Sequence, residues 1–145
     1  MDIAELIGPD QIVIGLEIAD KPGLLSELSK RASLVTGIAA ESILQALLKR
    51  EGFGSTGIGR GLAIPHAPVE GLKRAVGILV RLKRPIAFDA VDGEPVDVVF
   101  LLLTPNGNNA ALAAISRRLR DGLVVKTLRN GASAEDVYNR LVGLV

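Results

Sequence analysis

The chain has 145 residues, 48% of them hydrophobic but only 3% aromatic, with 17 basic side chains against 16 acidic ones and a net charge of +1. That length suits a single domain around one core of Leu, Ile, Val and Ala, and so even a charge balance offers no electrostatic footprint for a nucleic acid. With no cysteine and one histidine, disulfides, thiolate nucleophiles and a resident zinc site drop out, and neither metal nor cofactor is expected.

Along the chain, residues 1–11 (MDIAELIGPDQ) carry acidic side chains where a signal peptide needs basic ones followed by an apolar run. Residues 11–18 (QIVIGLEI) predict a first strand, weakened by Gly15. Asp20 then reads as a helix cap with Pro22 in the first turn. Leu24, Leu25, Leu28, Ala32 and Val35 follow at helical spacing, and Gly37 marks the end. A second helix is expected over 39–51, with Ile43, Leu44, Leu47 and Leu48 on one face.

Residues 75–82 (AVGILVRL) and 96–103 (VDVVFLLL) are short apolar runs that barely alternate, as strands covered on both faces do. The Asp92-Gly93 turn signal between them predicts a hairpin or short meander. Neither run approaches the roughly 20 residues that span a bilayer. No membrane insertion is therefore expected, and the chain reads as cytoplasmic. Leu112, Ile115 and Leu119 put an apolar stripe on a helix whose other faces carry Arg117, Arg118 and Arg120. A last helix begins near Ser133, with Asp136 completing an imperfect capping box. Helices mixed with buried strands imply an α/β layer architecture. No repeat, linker or low-complexity segment interrupts residues 1–145.

Residues 54–68, GSTGIGRGLAIPHAP, hold the one histidine among four glycines and two prolines. Gly52, Gly54 and Gly57 spell a dinucleotide fingerprint, but an amphipathic helix precedes them where a strand is required, and Gly-Arg-Gly then Ile-Pro follow where a helix is required. No Walker A sequence occurs, and no G-x-S-x-G elbow supports a Ser-His-Asp triad. What remains is a loop rich in free backbone N–H groups, with Ser55 and Thr56 as additional hydroxyl donors, ending at His66. Pro65 fixes its own φ and holds Ile64 extended, so the imidazole sits on a stiff approach. A neutral imidazole beside amides and a guanidinium can take up a phosphoryl group and pass it on, and both Arg50 and Arg60 lie close enough in sequence to supply the guanidinium. On residues alone, a His66 that merely caps the loop or satisfies a buried carbonyl stays equally open.

The stretch Arg50-Glu51-x-x-Gly54-Ser55-Thr56-Gly57-x-Gly59-x-Gly61-x-Ala63-Ile64-Pro65-His66 resembles the active-site signature of IIA components of the bacterial phosphotransferase system, fructose–mannitol class. Pro85-Ile86-x-Phe88-Asp89-Ala90-x-Asp92-x-x-Pro95-Val96-Asp97 and Ser116-Arg117-x-Leu119-Arg120-Asp121 are similar to its nitrogen-regulatory branch. The resemblance implies a mixed β-sheet flanked by helices on both faces. It also implies a phosphotransferase activity in which His66 accepts a phosphoryl group from a phosphohistidine on an HPr-like carrier. Arg50 would hold that group, with Ser55 and Thr56 as further contacts. Asn108 stands where many relatives place a second histidine, and as an amide can donate to a phosphoryl oxygen. The implied role is regulation of partner proteins by phosphorylation state, potassium transport systems and sensor kinases being the kinds of target. Two alternatives share the fold: a sugar-transport component that relays phosphate to a IIB protein, and an interaction module that is no longer phosphorylated.

Overall fold

A computed structural model describes residues 2–107 and 109–143. Two 3-10 turns, Ile3–Glu5 and Pro9–Gln11, lead into β1 (Ile12–Leu16), α1 (Lys21–Thr36) and α2 (Ala40–Glu51). Three short strands follow, β2 (Gly57–Gly59), β3 (Leu62–Ala63) and β4 (His66–Pro68), then the long strands β5 (Val76–Ile86) and β6 (Val96–Thr104). The chain ends in α3 (Ala110–Arg118), α4 (Gly122–Asn130) and α5 (Ala134–Val142). Asp20 caps α1 as expected, its Oδ1 accepting from the Gly23 N–H at 2.8 Å, and Gly37 closes the helix in the left-handed region at φ 77°. Ser133 likewise caps α5 by accepting from the Asp136 N–H.

The strands form one six-stranded mixed sheet in the order β1-β5-β6-β3-β2, with β4 also on β6. β5 and β6 make the expected antiparallel pair, from Val76 opposite Leu103 to Ile86 opposite Val96. β1 joins β5 in parallel over five residues of the predicted 11–18, Gln11 belonging to the preceding 3-10 turn, and its register slips between Ile14 and Leu16 at Gly15, whose φ is +79°. β3 and β4 run in succession along the other edge of β6, both parallel to it, so that Leu62 lies opposite Val98 and His66 opposite Leu102.

Near-continuous apolar character in β6 follows from cover on both faces. Val99, Leu101 and Leu103 pack with Leu24, Leu28, Ile43 and Leu47 of α1 and α2. Val98, Phe100 and Leu102 pack with Ile115, Val124, Leu128, Val137 and Leu141 of α3, α4 and α5. Gly77 is required in this layer, since a Cβ there would sit 2.5 Å from Cζ of the Phe100 ring. α4 and the three short strands are additions to the predicted elements. Asp121 caps α4 through the N–H groups of Leu123 and Val124, and Arg81 of β5 closes its other end by donating to the carbonyls of Thr127, Leu128 and Gly131. That partly desolvated position pulls the Arg81 guanidinium below its ordinary value, against the opposing influence of Asp97. Among the described residues, no helix is long and apolar enough to cross a membrane, and no group of three or more His, Asp or Glu is gathered to hold a metal ion.

Candidate functional site

The site begins where α2 ends. After Glu51 the chain turns back on itself through the N–H of Gly54, which donates to the Glu51 carbonyl, and then threads β2 and β3 before reaching β4. The loop is tied across its base where the Ile64 N–H donates to the Thr56 carbonyl at 3.0 Å, and anchored to the sheet where the Leu102 N–H donates to the Pro65 carbonyl at 2.9 Å. Pro65 lacks an N–H of its own, so the break between β3 and β4 leaves no unpaired donor there. His66 is therefore presented from the sheet edge on a backbone held on both sides.

The ring orientation follows from its partners. Nδ1 of His66 lies 2.8 Å from the Ile64 carbonyl oxygen. A carbonyl only accepts, so Nδ1 carries the hydrogen and Nε2 keeps its lone pair. Nε of Arg50 donates to that same Nε2 at 3.3 Å, while Nη1 of Arg50 donates to the Gly54 carbonyl at 2.9 Å. Both contacts require the same tautomer. Arg60, the other guanidinium near in sequence, is directed elsewhere: its Nη2 donates to the Leu119 carbonyl and its N–H to the Asp92 carboxylate. The structure thus brings Arg50 to the imidazole and not Arg60.

Ser55 and Thr56 serve the loop's own geometry. Oγ of Ser55 donates to the Phe88 carbonyl at 2.8 Å and accepts from the Gly57 N–H at 3.1 Å. Thr56 is 4% exposed, and both its hydroxyl and its N–H donate to the Glu51 carboxylate. In this arrangement neither hydroxyl has its hydrogen free for an incoming anion. Asn108 lies outside the described residues, and its neighbour Asn109 is the N-cap of α3 without a side-chain cap bond.

The segment over residues 88–92, of which Asp92 reads in sequence as part of a turn, is a second support. Besides the Ser55–Phe88 bond, the Val91 N–H donates to the Gly57 carbonyl at 3.2 Å, and Asp92 Oδ2 accepts the Arg60 N–H at 3.0 Å. Accepting from the N–H groups of Arg60 and Glu94 holds the Asp92 carboxyl below the usual carboxylate value. A further ion pair was not anticipated: Lys21 Nζ lies 2.8 Å from Glu51 Oε2 and 4.3 Å from the centre of the Phe88 ring. Its sequence signal was weak, since Lys21 and Glu51 are thirty residues apart on two different helices. Phe53, in the turn between Arg50 and Gly54, is a large apolar residue that is 80% exposed.

An unprotonated ring nitrogen on a rigid support, with a guanidinium already at that nitrogen, is suited to take an electrophilic phosphoryl group and to offset the charge on its oxygens. The chain matches the family described as phosphoenolpyruvate-dependent sugar phosphotransferase system, EIIA 2, over residues 5–142. It is 41% identical over 145 residues to the nitrogen regulatory protein of Bradyrhizobium diazoefficiens, covering 97% of this chain and 95% of that one. The crystal structure of nitrogen regulatory protein IIA-Ntr from Neisseria meningitidis superimposes with a TM-score of 0.88 at 32% identity, covering 96% of this chain and 98% of that one. The fold alone is shared with Escherichia coli enzyme IIA mannitol in its complex with phosphorylated enzyme IIB mannitol, at a TM-score of 0.82, 19% identity, and coverage of 95% and 99%.

Proposed function

Because the chain belongs to the EIIA 2 family of the phosphoenolpyruvate-dependent sugar phosphotransferase system, we propose that residues 1–145 act as one nitrogen-regulatory phosphoacceptor domain whose acceptor is Nε2 of His66. The observation that carries this reading is the pair of contacts on one ring: Nδ1 donating to the Ile64 carbonyl and Nε2 accepting from Arg50. An HPr-like carrier bearing a phosphohistidine supplies the group. The Nε2 lone pair of His66 attacks phosphorus, a new P–N bond forms, and the P–N bond to the carrier's imidazole breaks with its electron pair returning to that nitrogen. No proton need leave His66, because its one ring hydrogen is on Nδ1, facing Ile64. Arg50 is already at the attacking nitrogen and transfers its hydrogen bonding from the lone pair to the phosphoryl oxygens. Reversal uses the same geometry, as transfer between two imidazoles requires.

The exposed Phe53, three residues after Arg50 in sequence, supports a protein donor, since an exposed aromatic ring is a docking feature that a small phosphorylated metabolite would not need. The product adds nearly two negative charges to a chain of net charge +1. That local change is the signal by which the domain, working in the cytoplasm, discriminates among its regulated partners. The test is the position of the phosphoryl group. Protein labelled with ¹⁵N-histidine and phosphorylated by the carrier is expected to show the ¹⁵N–³¹P coupling at Nε2, with Nδ1 still protonated. Coupling at Nδ1 would overturn the proposed geometry.

A further inference from the structure

The last turn of α2 carries two neighbouring charged residues with separate partners. Arg50 reaches the imidazole, whereas Glu51 reaches into the loop. The Glu51 side chain is 7% exposed, and its carboxylate collects the Thr56 N–H at 3.2 Å, the Thr56 hydroxyl and the Lys21 ammonium at 2.8 Å. From Thr56 the linkage continues to the ring: the Thr56 carbonyl accepts from the Ile64 N–H at 3.0 Å, and the Ile64 carbonyl accepts from Nδ1–H of His66 at 2.8 Å. Lys21 is itself held, its Nζ 3.4 Å from the Phe88 carbonyl and close over the Phe88 ring. The same Phe88 carbonyl takes the Ser55 hydroxyl.

We propose that Glu51 is a positioning residue for the phosphoryl acceptor, acting through Thr56 and Ile64 to fix the ring, with Lys21 as the counter-ion that makes this carboxylate compatible with an incoming anion. The inference rests on the reading of His66 as the acceptor. A largely buried carboxylate in the residue next to Arg50 repels a phosphoryl group unless its charge is offset, and removing one partner of such a pair leaves the other charge uncompensated. The two roles are separable: Glu51 sets geometry, and Lys21 cancels the charge that this geometry requires.

The test follows single-turnover phosphorylation by the carrier as a function of carrier concentration, together with ¹⁵N ring signals of unphosphorylated His66 at roughly pH 8, where an imidazole is neutral. Glu51→Ala is expected to lower the saturating rate by about 10- to 100-fold, as loss of orientation does, with the half-saturating carrier concentration unchanged within about twofold. Its ring signals move from the Nδ1–H tautomer towards a mixture. Lys21→Met is expected to slow the saturating rate about tenfold, and adding Glu51→Gln to it recovers most of that loss because the stranded charge is gone.

A folded Glu51→Ala protein with wild-type rate and wild-type ring signals overturns the proposal, and so does a Lys21→Met/Glu51→Gln protein no faster than Lys21→Met alone. If Glu51→Ala does not fold, the Lys21→Met and Lys21→Met/Glu51→Gln rates decide. A wild-type protein that takes no phosphoryl group sinks the acceptor reading instead, and the ring signals of wild type against Glu51→Ala still decide whether Glu51 positions the imidazole.

Discussion

Either nitrogen of an imidazole can accept a phosphoryl group, and at His66 a single backbone carbonyl decides which nitrogen keeps its lone pair. Ile64 holds the hydrogen on Nδ1, which leaves Nε2 beside Arg50. Replacing Arg50 by Ala removes the group that would neutralise the phosphoryl oxygens, and the phosphorylation rate by the carrier should fall on the order of 10²-fold. Lys at the same position keeps the charge but not the planar fork, so a smaller loss of about tenfold is expected in the same assay. A lone histidine at the end of a glycine-rich loop, with arginines near it in sequence, was legible as a set of residue types. The choice of Arg50 over Arg60 was not legible from proximity, since it depends on Arg60 finding the Leu119 carbonyl from 59 residues away. Asp92 makes the pH-dependent contribution at this scale. Its folded value lies below the ordinary carboxylate value, so its stabilisation is complete above about pH 4 and is lost as pH falls through the lower folded value. Asp92→Asn should therefore show a shallower loss of stability on acidification below about pH 4, measured by denaturant unfolding across that range. An unchanged acid slope would remove Asp92 from the account.

Elements with their own local signals were the ones that could be read in advance. α1 has a capping Asp20 and a terminal Gly37, and β5 and β6 are apolar because helices cover both faces. β2, β3 and β4, of three, two and three residues, have no such signal and exist because β6 supplies a sheet edge for β3 and β4, and β3 in turn one for β2. α4 did carry one, a capping Asp121 before Val124, Val125 and Leu128, but Asp-Gly also reads as a turn and masks it. The loop's fit against residues 88–92 is testable at Gly57, where an added Cβ would meet Ala90 Cβ at 2.8 Å and Ala90 Cα at 2.9 Å. One of those atoms is backbone, so the contact cannot be relieved by a rotamer change. Gly57→Ala should cost about 1–3 kcal/mol in thermal or denaturant unfolding and slow phosphorylation as the loop is displaced from its support. Wild-type stability would mean that the two segments part easily.

At the scale of the whole molecule, the architecture places a rigid two-sided core behind a site at the sheet edge. The core clusters are apolar, whereas Glu51, Lys21, Arg50 and Asp92 hold the loop that leads to His66 and its supports. This division explains why the fold class was readable from apolar pattern, whereas the supports of the site were not: they join residues from α1, α2 and the segment between β5 and β6. It also fits a regulator whose output is a change of surface charge, because phosphorylation then alters what the surface attracts without repacking the interior. Whether His66 is the acceptor is read by intact mass after incubation with a phosphorylated HPr-like carrier, wild type beside His66→Ala. With His66 as acceptor, the wild type gains about 80 Da, labile in acid and absent from the variant. A variant that gains the same mass would contradict that assignment, as would a wild type that gains none from a carrier proven on another IIA protein.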